Sequence, residues 1–341
     1  QCVETGRQYG LAVAVDLMGV ADPVAAAAAM EALGVDWVDV HCPIDRQMQG
    51  ADPLDQIRRV RSACGLTLAA AGGLTSETAA GAVAAGADVI IVGGAITKAI
   101  DPQAATAAIR TAIDTGEAVA GEGLFRRAAA DTIRQILQTV RTANISDGSH
   151  RQPCLAGLHP LWIGAVAIGP AVTVRTVAGD WSKPVQAIDA ARPGEVIVID
   201  AGGRPPAVWG ELATESAVGK ALAGLVVDGA VRDSADIRRL AFPVWSAQVT
   251  SHAGDANGVG QINVPITIAG QRICPGDWIA ADDDGVMVLP AAKAVEMANR
   301  AADVLEAENR IRQEIRDRSG TLAKVLDLKR WEQKGMAPEV G

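Results

Sequence analysis

Residues 224–233 read GLVVDGAVRD, and this short stretch decides how the second half of the chain is interpreted. Its uninterrupted apolar start is typical of a strand that is buried on both faces of a sheet. Its end places Arg232 and Asp233 side by side, and Asp228 stands just before a glycine. A carboxylate at such a junction can bind Mg²⁺ or Mn²⁺ through oxygen, and a neighbouring guanidinium fits a substrate carboxylate. An ordinary surface ion pair is the alternative interpretation.

The residues upstream of this strand favour the functional interpretation. Glu211 precedes Arg232 by a gap of twenty residues, and that gap contains one predicted helix and one predicted strand. Such a return brings the loop at residues 202–212, GGRPPAVWGEL, beside the Arg-Asp pair. A helix that starts near Leu212 offers backbone N–H groups to an anion. A metal and an arginine together suit a reaction on a 2-oxo acid, because both stabilise the negative charge of an enolate.

Residues 125–300 are predicted to form one domain of mixed type. Strand-like runs with frequent Gly and Pro prevail there, and helices are predicted near residues 182–191 and 212–223. This pattern of many predicted strands and few helices indicates an α+β or β/β/α domain. The run Asp282-Asp283-Asp284-Gly285 is interpreted as a tight turn between two strands. Residues 301–341 predict a charged helical tail, either solvated or packed on a neighbouring subunit.

The first 114 residues repeat a strand followed by an alanine-rich helix. The strands are LAVAVDLMGV, DWVDVH, LTLAAAGG and DVIIVGGAIT, and the helices are predicted near residues 23–33, 53–63, 76–85 and 102–113. This alternation predicts a parallel sheet covered on both faces, with about four βα units, whereas a closed barrel needs eight. Residues 115–124 are interpreted as a linker. Residues 126–140, RRAAADTIRQILQTV, predict a helix.

Ligands of parallel α/β structures bind at the carboxyl ends of the strands. The residues predicted at these ends are Asp16, His41, Asp45, the pair Gly72-Gly73 and the pair Gly93-Gly94. Glycine pairs before helices predict a phosphate cradle, because backbone N–H groups approach an anion closely there. Turn geometry alone is an equally good explanation of such pairs.

Composition limits the classes of protein that fit. The net charge of −9 and the absence of a long Lys/Arg run argue against nucleic acid as the main partner. No apolar stretch of about 18 residues predicts a membrane span, and no signal peptide is recognised in the first residues. The five cysteines form no C-x-x-C pair, which favours a reducing, cytoplasmic compartment.

The motifs of residues 8–114 carry a resemblance to a known enzyme family. AVDLMGV, VHCPID, AAAGGLTSETA and IVGGAITKAIDPQAAT resemble the second half of 3-hexulose-6-phosphate synthase, a barrel of the orotidine-monophosphate-decarboxylase superfamily. The resemblance implies that Gly72, Gly73, Gly94 and Ala95 contact a sugar phosphate, with His41 beside the reacting centre. The family's Asp-x-Lys-x-x-Asp motif and its metal-binding carboxylates are absent from this region, which begins where the family's fifth strand begins. A truncated barrel, a relic and a scaffold stay open as explanations.

Residues 143–322 resemble the regulator of ribonuclease activity A family. That family includes the class II 4-hydroxy-4-methyl-2-oxoglutarate aldolases, which also decarboxylate oxaloacetate. The stretches that carry the resemblance are ISDGSHR, IGPAVTVRT, PGEVIVIDAGG, WGELAT, GLVVDGAVRD, FPVWSAQVT, INVPITIAGQRICPGDWIAADDDGVMVLP and GTLAKV. The resemblance implies a swivelling β/β/α domain with a C-terminal helical tail, assembled as a homotrimer or as a hexamer of two trimers.

The active aldolases of this family carry an acid, twenty residues and then Arg-Asp, which here are Glu211, Arg232 and Asp233. The family usually has aspartate where this chain has Glu211. The resemblance implies that Asp233 binds Mg²⁺ or Mn²⁺ and that Arg232 holds the substrate. It also implies that the backbone at Gly210, Glu211 and Leu212 binds the oxo-acid carboxylate, and that Glu308 or Glu306 of a neighbouring subunit completes the site.

Three functions follow from these observations. The leading hypothesis is a divalent-metal-dependent carbon–carbon lyase acting on small 2-oxo acids through a pyruvate enolate. The second is a sugar-phosphate aldolase of the 3-hexulose-6-phosphate synthase type, which needs the missing half of the barrel. The third is a non-enzymatic regulator that binds a ribonuclease or a helicase. Only the first hypothesis requires Arg232 and Asp233.

Overall fold

The computed structural model describes residues 1–97, 99, 101–121, 127–317 and 320–328. The chain divides into two compact units. The first unit comprises residues 1–47, 51–126 and 305–341, and the second comprises residues 48–50 and 127–304.

The first unit contains a four-stranded parallel sheet with helices between its strands. Its elements are α1 (Cys2–Gln8), β1 (Ala14–Asp16), α2 (Pro23–Ala32), β2 (Trp37–His41), α3 (Ile44–Met48), α4 (Pro53–Arg61), β3 (Thr67–Ala71), α5 (Ala79–Ala84), β4 (Val89–Ile91), α6 (Gly94–Thr97) and α7 (Pro102–Thr115). The strands pair in the order β1-β2-β3-β4. The predicted partial barrel of about four βα units is confirmed.

Three of these helices begin with the same local signal, an aspartate followed by proline. The side chains of Asp22, Asp52 and Asp101 accept hydrogen bonds from backbone N–H groups in the first turns of α2, α4 and α7. Proline at the first helical position has no N–H to satisfy and already has a helical φ angle. Each aspartate cap therefore fixes where its helix starts.

The main core of the first unit lies between its helices and one face of the sheet, and on the other face Ala69 and Ala71 of β3 are buried as well. Val38, Val40, Leu68 and Ala70 point into a core shared with the helices. The alternate positions of the strands face the other way, and there Val89 and Ile91 are 46% and 45% exposed. Right-handed crossovers between strands in sequential order place every helix on the same side.

The second unit is built on a sheet of nine described strands. Its elements are α8 (Ile133–Thr139), α9 (Thr142–Gly148), β5 (His159–Pro160), β6 (Ala167–Arg175), α10 (Ser182–Ala190), β7 (Val196–Asp200), β8 (Ala207–Trp209), α11 (Glu211–Gly219), β9 (Gly224–Val231), α12 (Ser234–Arg239), β10 (Val244–Val249), β11 (Gln261–Ile262), β12 (Ile266–Ile268), β13 (Gln271–Ile273), β14 (Trp278–Asp282) and β15 (Gly285–Leu289). The strand order is β15-β14-β6-β7-β9-β10-β5, with β11 on β6 and β8 on β9.

The central strands of this sheet are buried on both faces, as their continuous apolar sequence predicts. Ile197 and Ile199 of β7 pack on the side of α10, α11 and α12. Val196 and Val198 of the same strand pack on the side of the antiparallel strands β12 to β15. The resulting layers are helices, a central sheet and a β layer, which confirms the predicted β/β/α domain.

The aspartate run of residues 282–285 forms the predicted tight turn. Asp282 pairs with Gly285 across the hairpin of β14 and β15. The buried carboxylate of Asp282 accepts hydrogen bonds from the backbone N–H of Thr142 at 2.9 Å and of Asp284 at 3.0 Å. Its oxygens therefore anchor α9 and the turn.

The helix predicted over residues 126–140 is shorter than expected and covers only α8. Arg127, before α8, donates to the backbone oxygen of Asn299 at 3.5 Å and to Asp303 at 3.2 Å. The fully buried side chain of Asn299 bonds to both backbone groups of Ala128 and to the carbonyl oxygen of Met48. These bonds tie Arg127 and Ala128 to α13 (Ala294–Asp317), and a turn at residues 130–132 leads into α8.

Charged residues near the C-terminus form the predicted helical tail, in α13 (Ala294–Asp317) and α14 (Leu322–Val325). Residues 329–341 lie outside the described residues. In the part of the chain that the structure describes, no helix combines the length and the apolar character needed to cross a membrane.

A buried carboxylate organises the loop after β6. Asp180 accepts hydrogen bonds from the backbone N–H groups of Ser182 at 3.0 Å, Asn257 at 3.3 Å and Val259 at 2.8 Å. Burial alone would raise the pKa of Asp180, but these bonds and one from the Ser182 hydroxyl outweigh it and lower the pKa to about 2.

We predict that Asp180→Asn destabilises the protein by about 2 kcal/mol at neutral pH. Because the folded-state pKa lies below the ordinary value, the stabilisation is present above about pH 4 and is lost as the pH falls towards 2. Urea unfolding, followed by tryptophan fluorescence at pH 7 and pH 3, should show a smaller difference between variant and wild type at pH 3. The exposed control Asp255→Asn should match the wild type at both values. An equal loss at both pH values for Asp180→Asn would contradict the prediction.

Candidate functional site

The end of β9 and the start of α11 lie side by side. Strand β8 pairs in parallel with β9, and the backbone N–H of Arg232 donates to the carbonyl oxygen of Trp209 at 3.0 Å. Both chain segments leave the sheet at the same edge, so Gly210 and Glu211 lie beside Arg232 and Asp233. The predicted approach of the two loops is confirmed.

A buried tryptophan fixes the start of α11. The indole N–H of Trp209 donates to the hydroxyl of Thr214 at 2.8 Å, and that hydroxyl donates to the carbonyl oxygen of Gly210 at 2.9 Å. Both side chains are buried. Thr214 was not among the predicted residues, although its place one turn into a helix after Gly210 is a signal for such a back-bond.

Asp233 is held in an unusual backbone conformation. Its φ angle is 55°, in the left-handed region that few residues other than glycine adopt. In this position its Oδ2 atom accepts the backbone N–H of Glu211 at 3.1 Å and lies 3.4 Å from Nε of Arg232. One carboxylate oxygen thus joins the helix start to the guanidinium, and the side chain is 35% exposed.

The close approach of these groups leaves no room for a side chain at position 210 unless Asp233 or Arg232 moves. A Cβ atom there would lie 2.6 Å from Oδ2 of Asp233 and 3.2 Å from Cγ of Arg232. Contacts shorter than 3.0 Å are essentially never seen for real Cβ atoms. Gly210 therefore makes room for the acid and the arginine, which the sequence pattern alone does not reveal.

The donor set at this point fits a hard divalent cation. Mg²⁺ usually binds through one or two carboxylates and keeps several waters, with substrate oxygens as further ligands. Asp233 offers a carboxylate that is fixed through Oδ2, and the Arg232 side chain, 44% exposed, supplies N–H donors for an anion. The backbone N–H of Leu212 lies in the first turn of α11, where helical N–H groups have no intrahelical acceptor. The role implied for the Glu211 N–H, binding a substrate carboxylate, stays a prediction, because that group contacts Asp233 here.

Asp228 lies farther up the same strand, beside a second acid. Asp228 and Asp200 are register partners on β9 and β7. Burial raises the pKa of Asp228, and the charge of Asp200 raises it further. The carbonyl oxygen of Asp228 accepts the N–H groups of Ala201 and Gly203, so this residue shapes the start of the loop that leads to Gly210.

The glycines of the first unit that were predicted to bind phosphate lie in close contact with neighbouring residues. A Cβ atom at Gly72 would lie 2.2 Å from the carbonyl oxygen of Cys42, and one at Gly73 would lie 2.0 Å from Oε1 of Gln47. Both glycines also have positive φ angles, 95° and 69°, so close packing and turn geometry together account for them. Gly94 and Ala95 begin the short helix α6. Their contact with a phosphate stays a prediction.

His41 and Asp16 meet at the carboxyl ends of their strands, where Nδ1 of His41 lies 3.1 Å from Oδ2 of Asp16. Asp45 lies in α3. Glu306 and Glu308 lie in α13, and Glu308 makes an ion pair with Arg312 on the same helix, at 3.6 Å. Their contribution to a site in a neighbouring subunit stays a prediction.

Two family models match this chain. Residues 142–288 match the RraA-like model, described as Aldolase/RraA, and residues 1–109 match the orotidine 5'-phosphate decarboxylase / HUMPS family. The second match agrees with the parallel sheet of the first unit, and the first covers β6 to β10 with the Arg232 site.

Curated relatives and a solved structure resemble a large part of the chain. An uncharacterized protein of Methanocaldococcus jannaschii is 33% identical over 57% of this chain and 93% of its own length. A protein of Halalkalibacterium halodurans, named "Putative 4-hydroxy-4-methyl-2-oxoglutarate aldolase", is 38% identical over 51% of this chain and 84% of its own length. The crystal structure of an uncharacterized protein from Pseudomonas syringae pv. tomato is 28% identical, covers 59% of this chain and all of that chain, and has a TM-score of 0.52. The chain therefore belongs to the Aldolase/RraA family, and its residues 1–109 are similar to the orotidine 5'-phosphate decarboxylase / HUMPS family.

Proposed function

We propose that this protein is a divalent-metal-dependent carbon–carbon lyase that acts on small 2-oxo acids, of the 4-hydroxy-4-methyl-2-oxoglutarate aldolase and oxaloacetate decarboxylase type. The observation that carries the proposal is the convergence of Arg232, Asp233 and the start of α11 on one carboxylate oxygen. A surface ion pair needs neither a strained backbone at Asp233 nor a glycine at 210. The name of the Halalkalibacterium halodurans relative supports the same reaction class.

Asp233 would hold the metal, Mg²⁺ or Mn²⁺, with water and substrate oxygens as the other ligands. When bound, the metal supplies Lewis-acid stabilisation of negative charge on the substrate. The hydrogen bond from the Glu211 N–H keeps the Asp233 carboxylate in one orientation. Arg232 contributes a fixed positive charge, which binds the substrate carboxylate and favours the enolate as it forms.

Glu211 is the acid–base group of this proposal. Through a water molecule it accepts the proton of the substrate's 4-hydroxyl group as the bond between C3 and C4 breaks. The fragment that carried the hydroxyl leaves as a ketone, pyruvate in the case of 4-hydroxy-4-methyl-2-oxoglutarate. The other fragment is the enolate of pyruvate, which takes a proton at C3 to give a second pyruvate. Oxaloacetate loses CO₂ to give the same enolate.

The partners proposed with this function are a small 2-oxo acid and further copies of the chain, in a homotrimer or a hexamer. The assembly is the one that the resemblance of residues 143–322 to the regulator of ribonuclease activity A family implies. Light scattering coupled to size-exclusion chromatography measures it directly.

We predict that the wild type releases pyruvate from oxaloacetate and from 4-hydroxy-4-methyl-2-oxoglutarate when Mg²⁺ is present, and that EDTA abolishes the release. Asp233→Ala should lower kcat/KM about 100-fold or more, because the metal ligand is lost. The control Asp236→Ala, an acid in helix α12, which Asp233 precedes, should retain full activity. Pyruvate is measured with a coupled lactate dehydrogenase assay. If the wild type releases none, the lyase proposal fails and the non-enzymatic regulator and the sugar-phosphate aldolase remain.

The acid at position 211 provides a second test. Glu211→Gln should lower kcat about 100-fold or more, since the amide cannot accept a proton. Glu211→Asp restores the residue usual in the family and should stay within about tenfold of the wild type. Steady-state kinetics of pyruvate release separates the two variants. Equal activity of Glu211→Gln and the wild type would remove Glu211 from the mechanism.

Gly210→Ala tests the geometry without removing any charged group. The added methyl group should displace Asp233 or Arg232, because Oδ2 of Asp233 lies 2.6 Å from the position of the new Cβ. We expect a loss of kcat/KM of about tenfold or more, with an unchanged circular dichroism spectrum. The control Gly219→Ala has open space at its Cβ position and should keep full activity. Full activity of Gly210→Ala would show that the close approach is not needed.

A further inference from the structure

A set of side chains that could hold a metal ion lies on the face of the first unit's sheet that points away from the core shared with the helices. Asp16 of β1 and Asp39 of β2 are direct register partners. His41 follows two residues after Asp39, so it points to the same face of the strand. One ligand atom from each of the three side chains lies within 4.8 Å of the others.

Asp39 presents an oxygen that the protein leaves unsatisfied. Its Oδ1 atom is buried and finds no hydrogen-bond partner among the described residues. Buried acceptors of this kind are rare and costly, and a bound ion is one established way to satisfy them. Burial raises the pKa of Asp39, the charge of Asp16 raises it further, and His41 lowers it. A cation between the two carboxylates would remove their repulsion and supply the missing partner.

The distance between two of the groups suits shared coordination. Nδ1 of His41 and Oδ2 of Asp16 are 3.1 Å apart. Two ligand atoms that each bind one ion at about 2.1 Å, at a right angle, are about 3 Å apart. Asp16 and His41 are 45% and 31% exposed, so an ion can enter and can keep water or an oxygen ligand in its remaining positions.

We propose that Asp16, Asp39 and His41 form a binding site for a divalent first-row transition-metal ion, separate from the site at Asp233. The combination of one imidazole with two carboxylates suits Mn²⁺ or Zn²⁺ better than Mg²⁺, which prefers oxygen ligands alone. Of the residues that the resemblance to 3-hexulose-6-phosphate synthase singles out, only His41 belongs to this site. Gly72, Gly73, Gly94 and Ala95 do not. The site stands whether or not the second unit is a lyase.

Mn²⁺ is the sharper probe, because thiolates of the five cysteines attract Zn²⁺. The full chain is titrated with Mn²⁺ in a large excess of Mg²⁺, which occupies the proposed site at Asp233, and free Mn²⁺ is counted by electron paramagnetic resonance. The wild type and Asp233→Ala should each bind one Mn²⁺ per chain. Asp39→Asn and His41→Gln should each raise the dissociation constant at least tenfold. The matched control Asp36→Asn, an acid just before strand β2, should bind like the wild type.

A second measurement uses only the wild type, so it does not depend on the folding of a variant. The chain has four histidines, and bound Mn²⁺ should selectively broaden the imidazole proton resonances of His41. No Mn²⁺ bound by the wild type in excess Mg²⁺ would overturn the proposal. So would retained affinity in both Asp39→Asn and His41→Gln, or broadening of the other three histidines without His41.

Discussion

The hydrogen bond from the backbone N–H of Glu211 to the Asp233 carboxylate is the constraint on which the candidate active site depends. It joins the first residue of α11 to the residue before α12, so two helices that follow different strands share one anchor. In the observed arrangement, Asp233 adopts a left-handed backbone and Gly210 has no side chain to displace its carboxylate. An acid placed this way loses conformational freedom before any ligand arrives. The site is therefore ordered by the fold, and substrate binding has less ordering left to do.

The burial of β9 fixes the position of the hydrogen bond between Glu211 and Asp233. Seven of the eight residues of the strand are buried, and the strand pairs in parallel with β7, β8 and β10. A one-residue slip would turn its apolar side chains to the wrong faces, so its register is strongly specified. Arg232 and Asp233 follow directly on this strand, so the fixed register of the strand also fixes the place of their backbone. The energy that orders the charged groups thus comes from apolar side chains such as Val227 and Val231.

Much of this could be predicted from the sequence, because the signals were local and periodic. The Asp-Pro starts of three helices, the apolar strands and the return between Glu211 and Arg232 each depend on a few neighbouring residues. The shortened helix at α8 could not be predicted in this way, since it depends on Arg127 meeting Asn299 and Asp303, which are far away in the sequence. Gly72 and Gly73 are partly of this kind: their positive φ angles reflect local turn geometry, whereas the approach of Cys42 and Gln47 is a contact over a longer distance in the sequence. Contacts between residues that are far apart in the sequence produce no periodic pattern from which they could be predicted.

The pairing of Asp16 with Asp39 shows the same limit in a functional setting. The alternation in DWVDVH already places Asp39 and His41 on one face of β2, yet nothing in either strand alone indicates that Asp16 stands opposite. Register supplies that information, and it turns two separate acids into neighbours that repel each other. A protein that keeps a buried, unsatisfied carboxylate oxygen next to a second carboxylate accepts a loss of stability. A cation bound between Asp16 and Asp39 would replace their mutual repulsion by attraction of both carboxylates to the ion. The two acids would then stabilise the metal site instead of destabilising the fold.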